Sequence, residues 1–142
     1  MPEPYAKPVL LEEALGVKVL ETYMSRDLLA VLETENAVRE LKPDFELLER
    51  IPEALGLIVT ARGTDCDFVS RYFAPGIGIN EDPVTGSSHT NLIPFWSRRL
   101  NKKELVAKQL SRRGGTLYCH DGGERVYISG YAVTHLIGEI VL

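Results

Sequence analysis

The sequence predicts an α+β domain in which a curved, antiparallel-rich sheet wraps one long central helix. Apolar residues at four-residue spacing, Leu92, Trp96 and Leu100, predict that helix over about 87–100. Glycine-bearing turns separate short β-rich runs on both sides of it. The chain has 142 residues, of which 44% are hydrophobic and 25% charged, and such values are typical of one globular domain.

The first half of the chain predicts short helices and strands separated by proline, glycine and helix-capping residues. Residues 1–8 contain three prolines and are expected to be a linker remnant that precedes a single domain over 9–142. The expected elements are a helix over 9–15 ended by Gly16, a hairpin of strands 17–24 and 28–33, helical turns over 35–41, a helix over 45–50 capped by Asp44, and strands over 57–61 and 67–73.

Residues 74–87 hold two prolines and three glycines, so we expect a long shaped loop there instead of a regular element. Pro94 should kink the helix that follows. Beyond it, strands over 116–120 and 124–129 flank an Asp-Gly-Gly turn, and a last strand is expected over 131–142.

The net charge of −4 disfavours a nucleic-acid partner, and no apolar run approaches the roughly 20 residues that span a bilayer. Only two cysteines are present, with no disulfide framework to interpret, and this suits a cytoplasmic protein. The three histidines lie far apart at spacings untypical of zinc sites, so no metal is expected.

The entry to the long helix is the strongest candidate site. A helix start leaves backbone amides unpaired and carries partial positive charge, which suits a carboxylate or an enolate-like transition state. Gly86 lets a ligand approach the backbone, while Thr85, Ser87 and Ser88 are expected to add hydroxyl donors. Asp82 lies close enough in sequence to act as acid, base or acceptor. Equally, Thr85 or a serine could simply cap the helix, with Glu81 and Asp82 interacting favourably with the helix dipole.

A second candidate lies in the run from Gln109 to Gly115. Two glycines after Arg112 and Arg113, just before a strand, allow a tight turn to present guanidinium groups to a pocket. Arg113 is therefore a candidate substrate-binding residue, although a glycine turn with solvated arginines explains the same pattern.

The run from Asp67 to His89, with Glu-Asp-Pro-Val-Thr-Gly-Ser as its most specific part, resembles the phenazine biosynthesis PhzF-like family, which has the diaminopimelate epimerase fold. The similarity continues through Phe95-Trp96, the run from Gln109 to Gly115 and Arg125-Val-Tyr-Ile-Ser-Gly, so it covers essentially the whole chain.

The resemblance implies a cofactor-independent isomerase or epimerase that moves a proton between carbons of a small carboxylic acid, in a site between two similar domains. By motif match, Asp82 and Ser87 would be catalytic, and Thr85, Gly86, Ser88 and Arg113 would bind substrate. No metal and no organic cofactor is implied.

The family's principal proton shuttle is a glutamate near a Cys-Gly-His-type motif in the amino-terminal domain, and no such motif occurs in these residues. The chain is therefore expected to be the carboxy-terminal half, inactive alone, with an amino-terminal domain or a second copy as its partner. A non-catalytic anion-binding module and a homodimerising domain remain open as alternatives.

Overall fold

The computed structural model describes residues 2–51 and 55–140, and in these residues eight strands form one sheet whose spatial order follows the chain. The strands are β1 (Glu3–Pro4), β2 (Glu21–Met24), β3 (Leu28–Val31), β4 (Leu57–Arg62), β5 (Phe68–Phe73), β6 (Glu104–Gln109), β7 (Gly115–Asp121) and β8 (Val126–Ser129). The β3–β4 and β5–β6 pairs are parallel and the other pairs are antiparallel.

Helices connect the two parallel pairs. The β3–β4 connection carries α2 (Glu35–Arg39) and α3 (Phe45–Glu49), and the β5–β6 connection carries α4 (Gly86–Leu100). A further helix, α1 (Leu11–Leu15), precedes β2. The second parallel pair runs opposite to the first, so right-handed crossovers place their helices on opposite faces of the sheet.

Strand alternation divides the core in two. In β4, Leu57, Val59 and Ala61 belong to the cluster that includes α1, α2 and α3, whereas Ile58 belongs to the cluster that includes α4. Successive side chains of a strand point to opposite faces, so one sheet supports both clusters. The buried run of β4 thus follows from a sheet covered on both sides.

The long helix α4 packs through aromatic side chains. Trp96 stacks on Phe68 of β5 with ring centroids 5.8 Å apart, and its Nε1 donates to the Thr60 hydroxyl at 2.9 Å. The helix continues through Pro94 and ends at Leu100, and the C-cap residue Asn101 has a positive φ of 49°. This packing fixes the direction of α4 and therefore the position of its first turn.

Two helix ends follow the predicted chemistry. Gly16 ends α1 with a φ of 65°, a left-handed conformation that favours glycine. Asp44 caps α3 by accepting from the Leu47 amide at 3.1 Å. The first hairpin, the β4–β5 pair and the β7–β8 hairpin are also confirmed.

Three regions differ from the sequence-based expectation. β6 was not predicted, and part of the loop over 74–87 forms a short 3₁₀ turn at Pro75–Ile77. In the expected linker, Glu3 and Pro4 pair with β2. The last expected strand is wrong for residues 131–140, which are irregular and exposed because no described strand pairs with them; residues 141 and 142 lie outside the described residues.

None of the helices in residues 2–51 and 55–140 has the length and apolar character that a membrane crossing requires.

Candidate active site

The start of α4 is left without a side-chain cap. Thr85 occupies the N-cap position, but its hydroxyl donates to the Asp82 carboxylate at 2.5 Å. Within the described residues no side chain accepts from the amides of Gly86, Ser87 and Ser88. Gly86 and Ser87 are exposed, so this first turn offers a group of donors and a partial positive charge to solvent.

Asp82 is half-buried and held through its backbone on both sides. Its amide donates to the Tyr72 carbonyl at 3.1 Å, and its carbonyl accepts from the Gln109 side chain at 2.8 Å. One carboxylate oxygen accepts from Thr85, and the other has no hydrogen-bond partner in the part of the chain that the structure describes. The second oxygen is therefore available to a ligand.

Gln109, at the end of β6, organises this loop from inside the fold. Its side chain is almost fully buried, accepts from the Thr85 amide at 2.8 Å and donates to the Thr85 hydroxyl at 3.1 Å. With the bond to Asp82, one amide group makes three hydrogen bonds to two loop residues. Sequence reasoning placed Gln109 in a family-like run but gave it no role, because a glutamine carries no signal for such long-range bonds.

The hydroxyls of Thr85 and Ser88 are not the open donors that the sequence suggested. Both residues are buried, and the Ser88 hydroxyl donates to the Thr85 carbonyl at 2.8 Å. Each hydroxyl donates to a nearby acceptor, and Ser88 is 1% exposed, so neither hydroxyl is an open donor.

His89 is fully buried in the first turns of α4. Its Nδ1 lies 2.8 Å from the Thr85 carbonyl and, since a carbonyl only accepts, Nδ1 carries the hydrogen. Burial lowers the pKa of His89 below its usual value, while the bond to Thr85 opposes that shift. A neutral His89 thus stabilises the first turn of α4 by donating to the Thr85 carbonyl.

The second candidate run packs directly against the loop. The Ser111 hydroxyl donates to the Pro83 carbonyl at 2.7 Å and accepts from the Gly114 amide at 2.9 Å. A Cβ at Gly115 would lie 2.6 Å from a Val84 methyl, so only glycine permits this approach. The two candidate regions, separate in sequence, form one surface.

Arg113 and Gly86 line the same open concavity of about 670 Å³, together with residues of β7 and β8. Asp82 and Ser87 do not line it. The structure therefore places Arg113 beside Gly86 at the start of α4, whereas Ser87 contacts a different residue.

That residue is Arg26, which sequence reasoning treated only as part of a turn. Arg26 donates from Nη2 to the Ser87 hydroxyl at 3.0 Å and to the Asp27 carboxylate at 2.9 Å. The other Asp27 oxygen accepts from the Tyr72 hydroxyl at 3.1 Å. Burial and the Asp27 charge raise the pKa of Tyr72 to about 12, so Tyr72 remains a donor.

One group of possible metal ligands occurs in the described residues, away from this site. Ligand atoms of Glu35, Asp65 and Cys66 lie within 4.8 Å of one another. Both carboxylates are already paired, with Arg39 and Lys108, and burial raises the pKa of the Cys66 thiol. A metal needs the thiolate, so these residues do not fit a metal site well.

Comparison with known proteins identifies relatives over nearly the whole chain. The family model described as phenazine biosynthesis-like protein, PhzC-PhzF, matches residues 6–138. An uncharacterised isomerase of Pseudomonas aeruginosa is 53% identical over 99% of this chain and 54% of its own length. A second, from Halalkalibacterium halodurans, is 44% identical over 95% of this chain and 52% of its own. The chain thus spans about half the length of these relatives.

Solved structures of relatives share the fold. A PhzF family protein of Enterococcus faecalis superposes with a TM-score of 0.90 at 48% identity, over 92% of this chain and 50% of that one. A PhzC/PhzF protein of Clostridium difficile gives 0.89 at 43% identity, over 100% and 55%. On its sequence, its sheet and these relatives, the chain belongs to the phenazine biosynthesis-like PhzC-PhzF family.

Proposed function

We propose that this chain forms one wall of the active site of a cofactor-independent isomerase that moves a proton between carbons of a small carboxylic acid. Several relatives are named isomerases, and the chain spans about half of their length. In this proposal the remaining half of such a protein, with a glutamate as principal proton shuttle, supplies the facing wall.

One observation carries the proposal: the N-cap threonine of α4 bonds to Asp82 and leaves the first-turn amides open. A helix whose start had only a structural role would gain stability from a capping hydroxyl, typically about 1 kcal/mol. Here the hydroxyl orients a carboxylate beside open donors instead. Such an arrangement favours binding of a negatively charged group next to an acid–base residue.

The chain's own residues have separate roles in this proposal. The amides of Gly86, Ser87 and Ser88 hold the substrate carboxylate or the negative charge that develops when a proton leaves carbon. The free oxygen of Asp82 exchanges a proton with substrate, while its other oxygen is fixed by Thr85. Arg113, at the edge of the adjoining concavity, adds a cation for a second anionic group.

The shape of the sheet around α4 is part of the same proposal. α4 packs on the face formed by β3 to β7 through a continuous apolar cluster. We propose that the sheet curves around α4 as in the diaminopimelate epimerase fold, with the site at the helix start facing the other half. Without that half, the lone chain lacks the main acid–base group, a contribution of about 10²–10⁴-fold in rate.

Deuterium incorporation in D₂O tests the proposal, because a proton returned to a new carbon then comes from solvent. The chain, the separately produced amino-terminal half of the Pseudomonas aeruginosa relative, and their mixture are each incubated with a panel of small unsaturated carboxylic acids. Mass spectrometry should detect deuterium with the mixture, and at least about 100-fold less with either half alone. Exchange by the lone chain at the rate of the mixture would refute the division of the site. No exchange by a mixture that forms a complex would refute the isomerase itself.

The alternative is a non-catalytic module that keeps the anion site. It requires only the open first-turn amides, with Asp82 serving to orient Thr85 and not to move a proton. In that case small carboxylates would bind the mixture, but no acid in the panel would gain deuterium.

A further inference from the structure

We propose that Arg26 is a specificity-determining residue of this site, which binds the anionic group of the substrate together with the first turn of α4. The inference rests on the proposed function and adds a residue to it. Arg26 lies in the turn between β2 and β3, 61 residues before Ser87, yet its guanidinium donates to the Ser87 hydroxyl at 3.0 Å. The fold thus places a cation at the exposed start of α4.

A buried carboxylate orients this cation. The Asp27 side chain is fully buried, whereas the Arg26 side chain is 54% exposed. Asp27 accepts from Arg26 on one oxygen and from Tyr72 on the other, so its position is fixed from both sides. The guanidinium is held through Nη2, which bonds to both Asp27 and Ser87, while about half of the Arg26 side chain remains exposed to solvent.

Arg26 retains donors for a ligand. Both hydrogen bonds use Nη2, and Nε and Nη1 have no hydrogen-bond partner within residues 2–51 and 55–140. The two N–H groups of Nη2 are occupied by these bonds, so Nε and Nη1 can each donate a hydrogen bond to a ligand. The first-turn amides of α4 and these remaining donors of Arg26 form two sides of one anion-binding site.

The glycine at position 56 makes this arrangement possible. A Cβ at Gly56 would lie 2.3 Å from the Tyr72 hydroxyl oxygen, so a larger residue would displace the tyrosine that holds Asp27. Gly56 also accepts from the Leu28 amide at 3.0 Å, next to Asp27 in the chain. The chain preserves room for the Tyr72 hydroxyl inside an otherwise packed sheet.

A purely structural role for Arg26 would be to neutralise Asp27. That role needs the bond to Asp27 but not the bond to Ser87 across 61 residues. The two roles predict different results for anion binding, which does not depend on turnover.

The test is an NMR titration of the ¹⁵N-labelled chain with sodium benzoate, with benzamide as the neutral control. Benzoate should shift the amides of Gly86, Ser87 and Ser88, and benzamide should not. Arg26→Gln should weaken benzoate binding about tenfold or more, as expected for losing hydrogen bonds from a charged group. Arg98→Gln, which removes the same charge at the opposite end of α4, should change affinity less than about twofold.

Two further variants keep the test decisive if Arg26→Gln is unstable. Arg26→Gln combined with Asp27→Asn removes both charges, and it should still lose the affinity. Tyr72→Phe leaves both charges and should weaken binding by a smaller factor, since it loosens only the support of Asp27.

Unchanged benzoate affinity in folded Arg26→Gln, with the α4 amides still responding, would overturn the role of Arg26 and leave the proposed function intact. No response of these amides in the unmodified chain would overturn both the anion site and the role of Arg26. Absence of deuterium exchange in the reconstituted mixture, with benzoate binding intact, would overturn only the isomerase.

Discussion

At the scale of single residues, Thr85 forms hydrogen bonds to the preceding loop in place of a cap on α4. As the N-cap of α4 it could accept from a first-turn amide, but its hydroxyl bonds to Asp82 and its own amide donates to Gln109. Both bonds organise the loop that precedes the helix. The helix start is consequently supported from the loop side and remains open on the solvent side.

Replacing Gln109 with Leu should destabilise the chain by about 2–3 kcal/mol, because the buried Thr85 amide and the Asp82 carbonyl lose their partners. Urea denaturation followed by circular dichroism measures this. Thr116→Val, an exposed change from polar to apolar in β7, is the control and should alter stability by less than about 0.5 kcal/mol. Equal stabilities of the two variants would contradict the organising role of Gln109.

His89 should make stability fall in mildly acidic solution. Burial lowers its pKa in the folded state, so below the usual value of 6.5 the unfolded chain binds a proton that the folded chain does not. The His89 contribution is therefore complete above about pH 6.5 and decreases below it, with a slope of at most about 1.4 kcal/mol per pH unit.

The measurement is the free energy of unfolding at several pH values from 5 to 8, for the unmodified chain and for His89→Gln. The difference between the two chains isolates His89, because other groups titrate in both. A difference that stays constant across this range would show that His89 takes up its proton equally well in both states.

The sequence predicts the residues around the helix start better than it predicts their bonds. Residue type and spacing identify Asp82, Gly86 and Ser87, since a glycine and small polar groups at a helix entry are a local pattern. Arg26 and Gln109 reach the same place from distant strands, and nothing local marks them. The hydroxyl bonds of Thr85 and Ser88 each span only three residues, but they depend on a loop conformation that residue types alone do not specify.

At the scale of elements, Arg71 of β5 connects a helix end to the candidate site. Its guanidinium binds Glu81 through two nitrogens, at 2.6 and 3.0 Å, and donates to the Leu41 carbonyl at 2.8 Å and to the Val38 carbonyl at 3.3 Å. These carbonyls lie at the end of α2 and just beyond it, where a cation is favourable. Through Arg71, the loop that leads to Asp82 is thereby connected to the end of α2.

Arg71→Gln should lower the free energy of unfolding by about 1–3 kcal/mol, because the partly buried Glu81 and the Leu41 carbonyl lose a charged partner. Hydrogen exchange at the amides of 81–84 should also become faster. Lys108→Gln, which breaks the more exposed pair with Asp65, should cost less than about 1 kcal/mol. Similar losses in both variants would argue against a special connection through Arg71.

Elements with a clear local signal at one end or in the adjoining turn were predictable, whereas β6 was not. Asp44 and Gly16 mark helix ends through local hydrogen bonds and backbone conformation, so α1 and α3 follow from sequence. β6 lies between the helix and β7 without a turn signal as strong as the Asp-Gly-Gly run, and it was missed. The expected strand over 131–142 has strand-like residues, but strand formation needs a partner that sequence cannot supply.

At the scale of the whole molecule, residues 131–140 leave large apolar side chains in solvent. Val133, Leu136, Ile137 and Ile140 are all more than 80% exposed. Contiguous exposed apolar surface is typical of an interaction site. We propose that these side chains contact either the facing half named in the proposed function or another copy of the chain.

Changing these four residues together to Ser should leave the free energy of unfolding within about 0.5 kcal/mol of the original, because they bury almost nothing. Analytical ultracentrifugation should show less self-association than in the unmodified chain. A large loss of stability in the monomeric variant would mean that the segment packs against the fold.

The overall division of the molecule, two apolar clusters on one sheet, follows from the alternation of apolar residues in a mixed sheet covered on both faces. The sequence predicted the sheet class and the long helix. It did not indicate which cluster each short helix would join, because that depends on crossover direction.

The account depends most on Asp82 acting as an acid–base group beside an anion site at the start of α4. The most direct test compares Asp82→Asn with the unmodified chain in the mixture with the amino-terminal half, measuring the deuterium exchange rate and the substrate affinity separately. We predict a fall in rate of at least about 100-fold with affinity changed less than about threefold. An unchanged rate, or a loss of affinity that accounts for the whole effect, would contradict the central claim.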